Sequence, residues 1–574
     1  MPKLSFRAKV LNWTGFANRQ DQLLMLLSLV IGVLVGLTVV AFILLTGRIA
    51  ARMYPPDGAV WRRLLVPVIG TLVSGYLLAR YFPNARGSGI PQAKFAIFIQ
   101  EGYISLRTVI GKFVCCSISL ASGIALGREG PSVQIGAGIA SVLARHFGLS
   151  KEHVKALVPV GCSAALAAAF NTPIAAVLFS LEEILGDLHA PVLGSVVLSS
   201  ATSWMVLHLI LGDEPLFHTP AWQLVHPLEF GIYAILGVLG GLASVCFVKL
   251  LLKLRVWFRQ LPASTVWLQP VAGGLLMGVF GLFVPEVLGV GYDYVDRVLT
   301  GYFPVKTVAL LAVMKLIATP ACYSSGNAGG IFGPSLFIGA MVGGTVGTIA
   351  HTLLPHVTAN PGAYALVGMG AAFAGIVRTP LTSVIMIFEM TRDYSIIVPL
   401  MIANLISFFI SQQMQHEPIY EALALQEGVY LPTGESREEL SGIRVSEVMH
   451  VNADPLPLDA NIDTAKLRFD QEKSTSWPVG DINRLQGVIS SHQIETSDPS
   501  PNTVRDLLKN DGKYPYVHAD HPLSYALEQM RDNGIDVVPV VSRANIHQMN
   551  GVVSLTDILS TYGIGNKPET GMAR

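Results

Sequence analysis

Long apolar runs fill most of this chain. Residues 23–45, 305–317 and 396–410 are strongly apolar, and a helix needs about 20 apolar residues to cross a bilayer. Near residue 415 the pattern changes to short apolar runs that alternate with helical patterns in a polar sequence, which is typical of a soluble α/β module. The pattern predicts an all-α polytopic membrane domain at 1–425, a linker at 426–441 and a soluble α/β tail.

The membrane part contains an internal repeat. Its matching segments keep their order, at offsets of 203, 202 and 207 residues, and this spacing favours duplication over chance likeness among Gly-rich apolar segments. The halves are predicted at about 20–210 and 225–425, and the repeat alone leaves open whether they run parallel or inverted. The matching pairs are GREGPSVQIGA (127–137) with GIFGPSLFIGA (330–340), FPNARGSG (82–89) with VPEVLGVG (284–291), and AAFNTPIAAVLFSLEE (168–183) with GIVRTPLTSVIMIFEM (375–390).

The tail repeats on a shorter scale. GVISSHQI (487–494) matches GVVSLTDI (551–558), and the similar phrases VSEVM (445–449) and VRDLL (504–508) open the two copies. This repeat predicts two β-α-β-β-α units of about 60 residues each. We place them at 442–500 and 501–565.

Three segments of the membrane part combine Gly and Pro as at the start of a helix, namely GSGIPQ (87–92), GREGPS (127–132) and GIFGPS (330–335). A helix that begins inside a membrane directs free N–H groups and the positive end of its dipole at whatever lies in front of it. Starts from two halves therefore predict an anion site at the repeat interface. Ser88 adds a hydroxyl donor, and the alternative for GSGIP is a tight re-entrant turn without a ligand.

Glu129 is a carboxylate within this apolar region, where ionisable groups are costly and indicate function. It aligns with Phe332 in the repeat, so the duplicated architecture does not require it. Its ionised carboxylate would occupy the anion site, and protonation would free the site. We therefore expect a gate that is also a proton acceptor; a salt bridge to Arg128 is disfavoured because adjacent helical side chains do not face each other.

Glu182 and Glu183 end an apolar run, and the repeat separates their roles. Glu182 aligns with Glu389, which indicates a structural role in both halves, whereas Glu183 aligns with Met390. We expect the carboxylate without a counterpart, Glu183, to transfer protons. The alternative is an interfacial glutamate that meets water.

Two further candidates lie at the end of the membrane part and in the tail. The Tyr420 phenol can close an anion path from the aqueous side, and the alternative is an aromatic anchor at the membrane interface. Ser554 and Asp557 form S-x-x-D after an apolar strand, where Ser can bind phosphate and Asp can accept both ribose hydroxyls. Gln493 replaces Asp in the first copy, so at most one strong nucleotide site is expected; the alternative is a purely structural module.

Composition narrows the function classes. The 574 residues are 51% hydrophobic and 14% charged, against about 25% charged in soluble domains. The 39 basic and 39 acidic residues balance, so no nucleic-acid partner is expected. The five cysteines have neither metal-ligand spacing nor a disulfide pattern. The sequence offers no metal site and no nucleophile–base pair, so we expect no enzyme and no required cofactor, and no signal peptide is predicted.

GSGIPQ, GREGPSVQIG, GGIFGP (329–334) and Tyr420 together resemble the signature of the CLC family of chloride channels and chloride/proton exchangers, closest to its bacterial ClcB-like branch. The resemblance spans about residues 20–425, and the tail is similar to a paired CBS domain. It implies about 18 broken or tilted helices in two inverted halves, and a homodimer in the lipid bilayer. It also implies a bacterial inner-membrane location with the CBS pair in the cytoplasm.

The same resemblance implies the roles of individual residues. Glu129 matches the gating glutamate, and Glu183 matches the internal proton glutamate of exchangers. The leading hypothesis is chloride/proton antiport, and the alternatives are a passive voltage-gated chloride channel and a CBS-based nucleotide sensor with a membrane anchor. Beyond the transported ions, the only further ligand expected is a regulatory adenine nucleotide at the CBS pair. Chloride would be held by Ser88, by the backbone N–H groups of Ile331 and Phe332, and by the Tyr420 hydroxyl.

Overall fold

The chain divides into two compact units, Met1–Leu431 and Pro432–Arg574. Most of the predicted linker at 426–441 lies outside the described residues. A computed structural model describes residues 20–55, 58–188, 190–213, 215–219, 224–301, 303–429, 443–451, 453–472, 474–496, 503–508 and 514–561.

The first unit is helical throughout its described part. Short 3₁₀ turns join several helices, and α7 continues into a wider π-helical turn at Ser180–Leu185. The helices are α1 (Gln20–Met53), α2 (Trp61–Arg80), α3 (Ile90–Phe98), α4 (Leu106–Ala121), α5 (Glu129–His146), α6 (Lys151–Phe170), α7 (Pro173–Phe179), α8 (Leu193–Leu211), α9 (Glu229–Arg259), α10 (Pro270–Phe283), α11 (Tyr292–Leu299), α12 (Val305–Ser324), α13 (Phe332–Leu353), α14 (Pro361–Val377), α15 (Pro380–Thr391), α16 (Ile397–Met414) and α17 (Ile419–Gln426).

Eight helical stretches within the described ranges are long and apolar enough to cross a membrane. Large apolar side chains cover their outer surfaces; Leu209 is 84% exposed and Leu353 is 72% exposed. Lipid is the solvent that tolerates such a surface, because a soluble protein rarely exposes large contiguous apolar patches. The all-α membrane architecture expected from the apolar runs is confirmed.

In each half, glycines bring two neighbouring helices into backbone contact. A Cβ atom on Gly136 would lie 2.2 Å from the carbonyl oxygen of Gly161, and one on Gly339 would lie 2.3 Å from that of Gly368. Only glycine fits such an approach, which is the way membrane helices pack closely without a hydrophobic driving force. The pair α5 and α6 thus repeats in α13 and α14.

Reciprocal contacts relate the halves by a two-fold axis. Gly127 and Gly330, which are equivalent in the repeat, form an antiparallel bridge and exchange two N–H···O bonds of 2.7 Å. The Glu182 carboxylate accepts the Thr382 N–H at 2.8 Å, at the start of α15. Its counterpart Glu389 accepts the Ala175 N–H at 2.7 Å, at the start of α7. Antiparallel pairing of equivalent segments requires a two-fold axis between the halves, which agrees with the inverted halves that the resemblance implies.

A buried lysine supports the Gly-x-Gly turn of each half. Lys112 Nζ donates to the Gly87 carbonyl at 2.6 Å, and Lys315 Nζ donates to the Gly289 carbonyl at 2.5 Å. Each ammonium also donates to a second carbonyl two residues earlier in the same turn, at 3.1 Å. These bonds satisfy carbonyl groups that a turn inside a membrane would otherwise leave unpaired.

The second unit holds two similar α/β copies. In each, an antiparallel hairpin gains a short parallel bridge from a preceding segment, through Leu456 with Val479 and Val517 with Val540. Two apolar clusters form the core of the unit, and the one around Phe469 also takes in Val537, Val541, Met549 and Val552 of the second copy. The described elements are α18 (Ile462–Glu472), β1 (Ser476–Asp481), β2 (Arg484–Ser490), α19 (Ser491–Thr496), α20 (Leu523–Asn533), β3 (Val537–Val541), β4 (Met549–Ser554) and α21 (Leu555–Thr561).

The opening phrases of the two copies pair crosswise. Arg444 bridges to Pro522 in the second copy, and Thr503 bridges to Asn461 in the first copy. Each copy is therefore completed by the first residues of the other. This crosswise pairing makes the two copies one structural unit. Two independent modules would not share backbone pairs in this way.

Candidate functional site

Three helix starts converge inside the first unit. Gly89, which adopts a φ of 110° that favours glycine, precedes α3. A Cβ on Gly89 would lie 2.1 Å from the Gly130 carbonyl oxygen, and one on Gly130 would lie 2.4 Å from the Ser88 carbonyl oxygen. Gly330, just before α13, contacts Gly130 as well. The glycines of the sequence motifs are therefore required where the three starts touch.

The Glu129 carboxylate lies at this convergence and is fully buried. Its Oε2 accepts the Gly333 N–H at 3.2 Å, in the first turn of α13, and its Oε1 accepts the Tyr292 hydroxyl. The guanidinium of Arg128 lies 3.9 Å from the carboxylate at Nε, too far for a hydrogen bond but within ion-pair distance, so the salt bridge that the sequence disfavoured is present as a long contact. The carboxylate of one half thus binds the N-terminus of a helix of the other half, where the dipole favours an anion.

Ser88 and Tyr420 place two hydroxyl groups in the interior. Both residues are fully buried, and neither hydroxyl has a hydrogen-bond partner within the described part of the chain. Buried polar groups are normally paired, so two unpaired donors beside free helix N-termini are suited to an anionic ligand.

Ile331 and Phe332 occupy the first positions of α13. Ile331 is its N-cap and Phe332 its first residue, so their N–H groups have no acceptor within the helix. The Phe332 ring is held by the rings of Phe170 and Phe373, with centroids 4.7 and 4.3 Å away. This packing fixes the direction in which the helix start points.

Glu183 lies in the π-helical turn that follows α7 and is 6% exposed. Its Oε1 accepts a hydrogen bond of 2.9 Å from Lys94 Nζ, and the same ammonium binds Oε1 of Glu421. The side chain is therefore almost wholly buried and paired with Lys94. Glu182, its neighbour, instead accepts bonds from the start of α15.

Two cationic cavities border this region. One, of 460 Å³, is lined by Arg86, Arg255 and Arg259 against one carboxylate, Glu427, and reaches Gly87 beside Ser88. The other, of 580 Å³, is lined by Arg62, Arg63 and Arg128 against Asp293, and reaches Tyr292 beside Glu129. Clefts with an excess of one charge raise the local concentration of the opposite ion, so both cavities favour anions.

Sequence reasoning missed four participants. The Gly333 N–H and the Tyr292 hydroxyl hold Glu129, and Lys94 and Glu421 surround Glu183. A signal existed for Lys94, since it is a cation in the otherwise apolar α3, and for Glu421, which directly follows Tyr420. No local pattern marks Tyr292 or Gly333 as a partner of Glu129.

In the tail, Ser554 and Asp557 bond to each other. The Asp557 carboxylate accepts from the Ser554 hydroxyl and backbone N–H at the start of α21, and its other oxygen lies 3.0 Å from His450 Nε2. Burial raises the pKa of Asp557, but the bonds from Ser554 and His450 outweigh burial, and the pKa ends below its ordinary value. Gln493 accepts the Ser490 N–H at 3.0 Å in the same way and lines a cavity of 220 Å³.

Comparison with known families matches both units. The model of the family described as voltage gated chloride channel matches residues 69–412, and that of the CBS domain matches residues 504–563. A ClcB-like chloride channel protein of Ralstonia nicotianae is 36% identical over 60% of this chain and 81% of its own length. The H(+)/Cl(-) exchange transporter ClcA of Vibrio campbellii is 34% identical over 61% and 76%.

Solved structures have the same fold. A slow cyanobacterial Cl−/H+ antiporter superposes with a TM-score of 0.65 at 27% identity, over 70% of this chain and 97% of the antiporter. A eukaryotic CLC transporter superposes with a TM-score of 0.66 at 21% identity, over 93% of this chain and 97% of the transporter, and this likeness concerns the fold alone. The resemblance read from the motifs is confirmed: the chain belongs to the CLC family of membrane proteins, with a CBS domain in its C-terminal unit.

Proposed function

We propose that this protein exchanges chloride for protons across a membrane. The observation that carries the proposal is the buried Glu129 carboxylate on the Gly333 N–H, at a helix start of the opposite half. Chloride and an ionised carboxylate compete for such donors. Protonation removes the negative charge of Glu129, so the carboxyl leaves the site, chloride enters, and the proton travels with the gate.

Chloride occupies an interior site built from side-chain hydroxyl donors and backbone N–H donors. Ser88 and Tyr420 donate hydrogen bonds to the ion from their hydroxyl groups, which are buried and unpaired within the described residues. Ile331 and Phe332 donate hydrogen bonds to the ion from their backbone N–H groups at the start of α13. Charge-assisted hydrogen bonds of this kind are worth about 1.5–3 kcal/mol each, which offsets part of the dehydration of the ion.

Glu183 is the internal proton site. It is buried, it is not required by the repeat, and it accepts a hydrogen bond from Lys94. A passive channel has no use for such a costly buried carboxylate. This is the observation that favours exchange over the passive voltage-gated chloride channel, which is the second candidate. ClcA of Vibrio campbellii, an exchanger by name, supports the same choice.

The test is the reversal potential of the purified protein in liposomes under crossed chloride and proton gradients. An exchanger reverses at a voltage that depends on both gradients, because each turnover moves both ions. A channel reverses at the chloride equilibrium potential whatever the proton gradient, and that result would reject exchange. Flux of neither ion from a folded protein would instead favour a nucleotide sensor with a membrane anchor.

We further propose a homodimer in the bacterial inner membrane, with the CBS unit in the cytoplasm. The bacterial relatives of the membrane unit support the location. Cross-linking of the purified protein in lipid tests the dimer. Protease protection in right-side-out vesicles tests the side, because a cytoplasmic tail is cleaved only when the vesicles are opened.

An adenine nucleotide is the proposed regulatory ligand of the tail, with Asp557 accepting the ribose hydroxyls at the oxygen that now faces His450. Each charge-assisted bond is worth about 1.5–3 kcal/mol, so Asp557→Ala should weaken binding at least about tenfold. Gln493→Ala should matter little, since a neutral amide accepts more weakly. Equilibrium dialysis of the full-length protein with ATP, ADP and AMP measures this, and no binding of any of them would leave the unit a structural module.

A further inference from the structure

Three ionisable side chains meet in the interior of the membrane unit. Lys94 on α3, Glu183 in the π-helical turn and Glu421 on α17 are 4%, 6% and 6% exposed. The Lys94 ammonium lies 2.9 Å from Oε1 of Glu183 and binds Oε1 of Glu421. We call these three residues the buried triad. The proposed transport cycle assigns a role to Glu183 and leaves Lys94 and Glu421 without one.

The charges of the buried triad do not balance. One ammonium faces two carboxylates, so the fully ionised group carries one net negative charge. An uncompensated charge away from water is costly. Oε2 of Glu421 is buried and has no hydrogen-bond partner among the residues that the structure describes. An ionised carboxylate needs donors on both oxygens, whereas one added proton makes the triad neutral.

Among the residues that the structure describes, the charged groups that act most strongly on Glu183 include no cation besides Lys94. The groups that act on Glu183 are Lys94, Glu421 and Glu182, and Glu182 is itself a carboxylate, held at the start of α15. The groups that act most strongly on the Tyr420 hydroxyl are Glu183, Tyr323, Glu129 and Glu421. Each of these, when charged, is negative. A proton is therefore the simplest way to neutralise the triad.

We propose that Glu421 is a second proton-carrying carboxyl, and that the buried triad holds one exchangeable proton shared by Glu183 and Glu421 across Lys94. This rests on the proposed proton exchange. In the step, an N–H bond of the Lys94 ammonium breaks as an O–H bond forms on the Glu183 carboxylate, and the O–H bond of the Glu421 carboxyl breaks as its proton returns to Lys94, which is an ammonium before and after. The new Glu183 carboxyl passes its proton towards Glu129, and a hydronium ion from the aqueous side protonates Glu421 and leaves a water molecule, so charge and atoms balance.

The position of Glu421 links this proton to the anion. Tyr420 and Glu421 are consecutive in the first turn of α17, and Tyr420 offers its hydroxyl to chloride in the proposed site. A displacement of α17 on chloride binding therefore moves a proton carrier as well. Such a link between two ligands through one element is what coupled transport requires.

The experiment compares full-length variants in liposomes. Glu421→Gln can still accept from Lys94 but cannot carry a proton, so chloride-driven proton flux should fall at least about tenfold, as expected when a positioned proton carrier is removed, with chloride flux retained. Glu183→Gln with Glu421→Gln should lose no more coupling than Glu183→Gln alone, since both act in one path. Glu417→Gln, a half-buried carboxylate in the loop before the same helix, is the matched control and should couple as the wild type does.

The outcomes separate the two proposals. Wild-type coupling by a folded Glu421→Gln variant would overturn the role of Glu421 and leave exchange intact, whereas absent proton flux in the wild type would reject exchange itself. If Glu421→Gln does not fold, Glu421→Asp keeps a titratable carboxyl on a shorter stem. The Glu421→Asp variant should then still couple the two fluxes, but the pH dependence of its proton flux should be shifted. An unshifted pH dependence would overturn the proposal.

Discussion

The two halves of the membrane unit share their supporting contacts and differ in the groups that can bind or carry an ion. Lys112 and Lys315 donate to the same carbonyl positions of their own Gly-x-Gly turns. Glu182 and Glu389 cap the start of the equivalent helix in the opposite half. These groups are needed twice because the duplicated backbone has the same unpaired N–H and C=O groups twice, and water is not there to satisfy them.

The differences between the halves fall at the site. Ser88 aligns with Val290, and Glu129 aligns with Phe332. In the first half, Ser88 and Glu129 are a buried hydroxyl and a buried carboxylate. In the second half, the aligned residues Val290 and Phe332 are apolar. In a duplicated membrane protein, a buried polar residue that recurs is explained by the fold, and one that does not recur points to function.

Glu129→Gln should have the largest effect on this asymmetry. The amide is nearly isosteric but cannot deliver a proton, so we expect proton movement to be abolished while chloride still passes. Chloride-driven proton uptake into liposomes measures this, with Glu101→Gln, an exposed carboxylate, as control. Proton uptake by Glu129→Gln at the wild-type rate would contradict the gating role.

Glu183→Gln and Glu182→Gln should separate function from support within one dipeptide. Glu183→Gln should remove proton coupling and leave chloride flux, because its carboxylate has no counterpart in the second half. Glu182→Gln should instead lower the folded yield and the Tm, since it weakens the charge-assisted bonds to α15, and Glu389→Gln should do the same. Proton flux measures coupling, and size-exclusion profiles and thermal melts measure folding. Lost coupling in Glu182→Gln together with a lower Tm in Glu183→Gln would contradict the assignment.

Ser88→Pro should change selectivity. Proline removes the hydroxyl and the N–H, and a lost charge-assisted bond of about 1.5–3 kcal/mol corresponds to at least about a tenfold loss. Chloride, a small sphere, should lose ground to planar nitrate in competition fluxes. Val290→Pro makes the same backbone change at the equivalent position of the other half and should not alter selectivity. Equal selectivity of wild type and Ser88→Pro would mean that Ser88 does not line the site.

Tyr292→Phe should give the smallest change. Tyr292 aligns with Ile90, so its hydroxyl, which holds the Glu129 carboxylate, is again a difference between the halves. Loss of this bond should release the gate more often and raise chloride flux by up to about tenfold. Tyr294→Phe, two residues away, is the control. An unchanged flux would mean that the Gly333 N–H alone holds the carboxylate.

Much of the frame and the identity of the main site residues could be predicted before the structure. Glycine and proline marked the helix starts, because few other residues allow such close approach and such turns inside a membrane. The aligned pairs Glu182 with Glu389 and Glu183 with Met390 separated a capping carboxylate from a candidate proton carrier. The tail repeat predicted two β-α-β-β-α copies, though not that Arg444 and Thr503 would pair crosswise.

The sequence by itself determined where helices start, which residues repeat and which family the chain belongs to, because all of these are local patterns or ordered matches along the chain. Only the tertiary structure decided which groups meet. Glu129 and Gly333 are 204 positions apart, and Lys94 and Glu421 are 327 apart. No periodicity encodes such pairs; they arise when two halves pack around a two-fold axis and bring distant helix ends together.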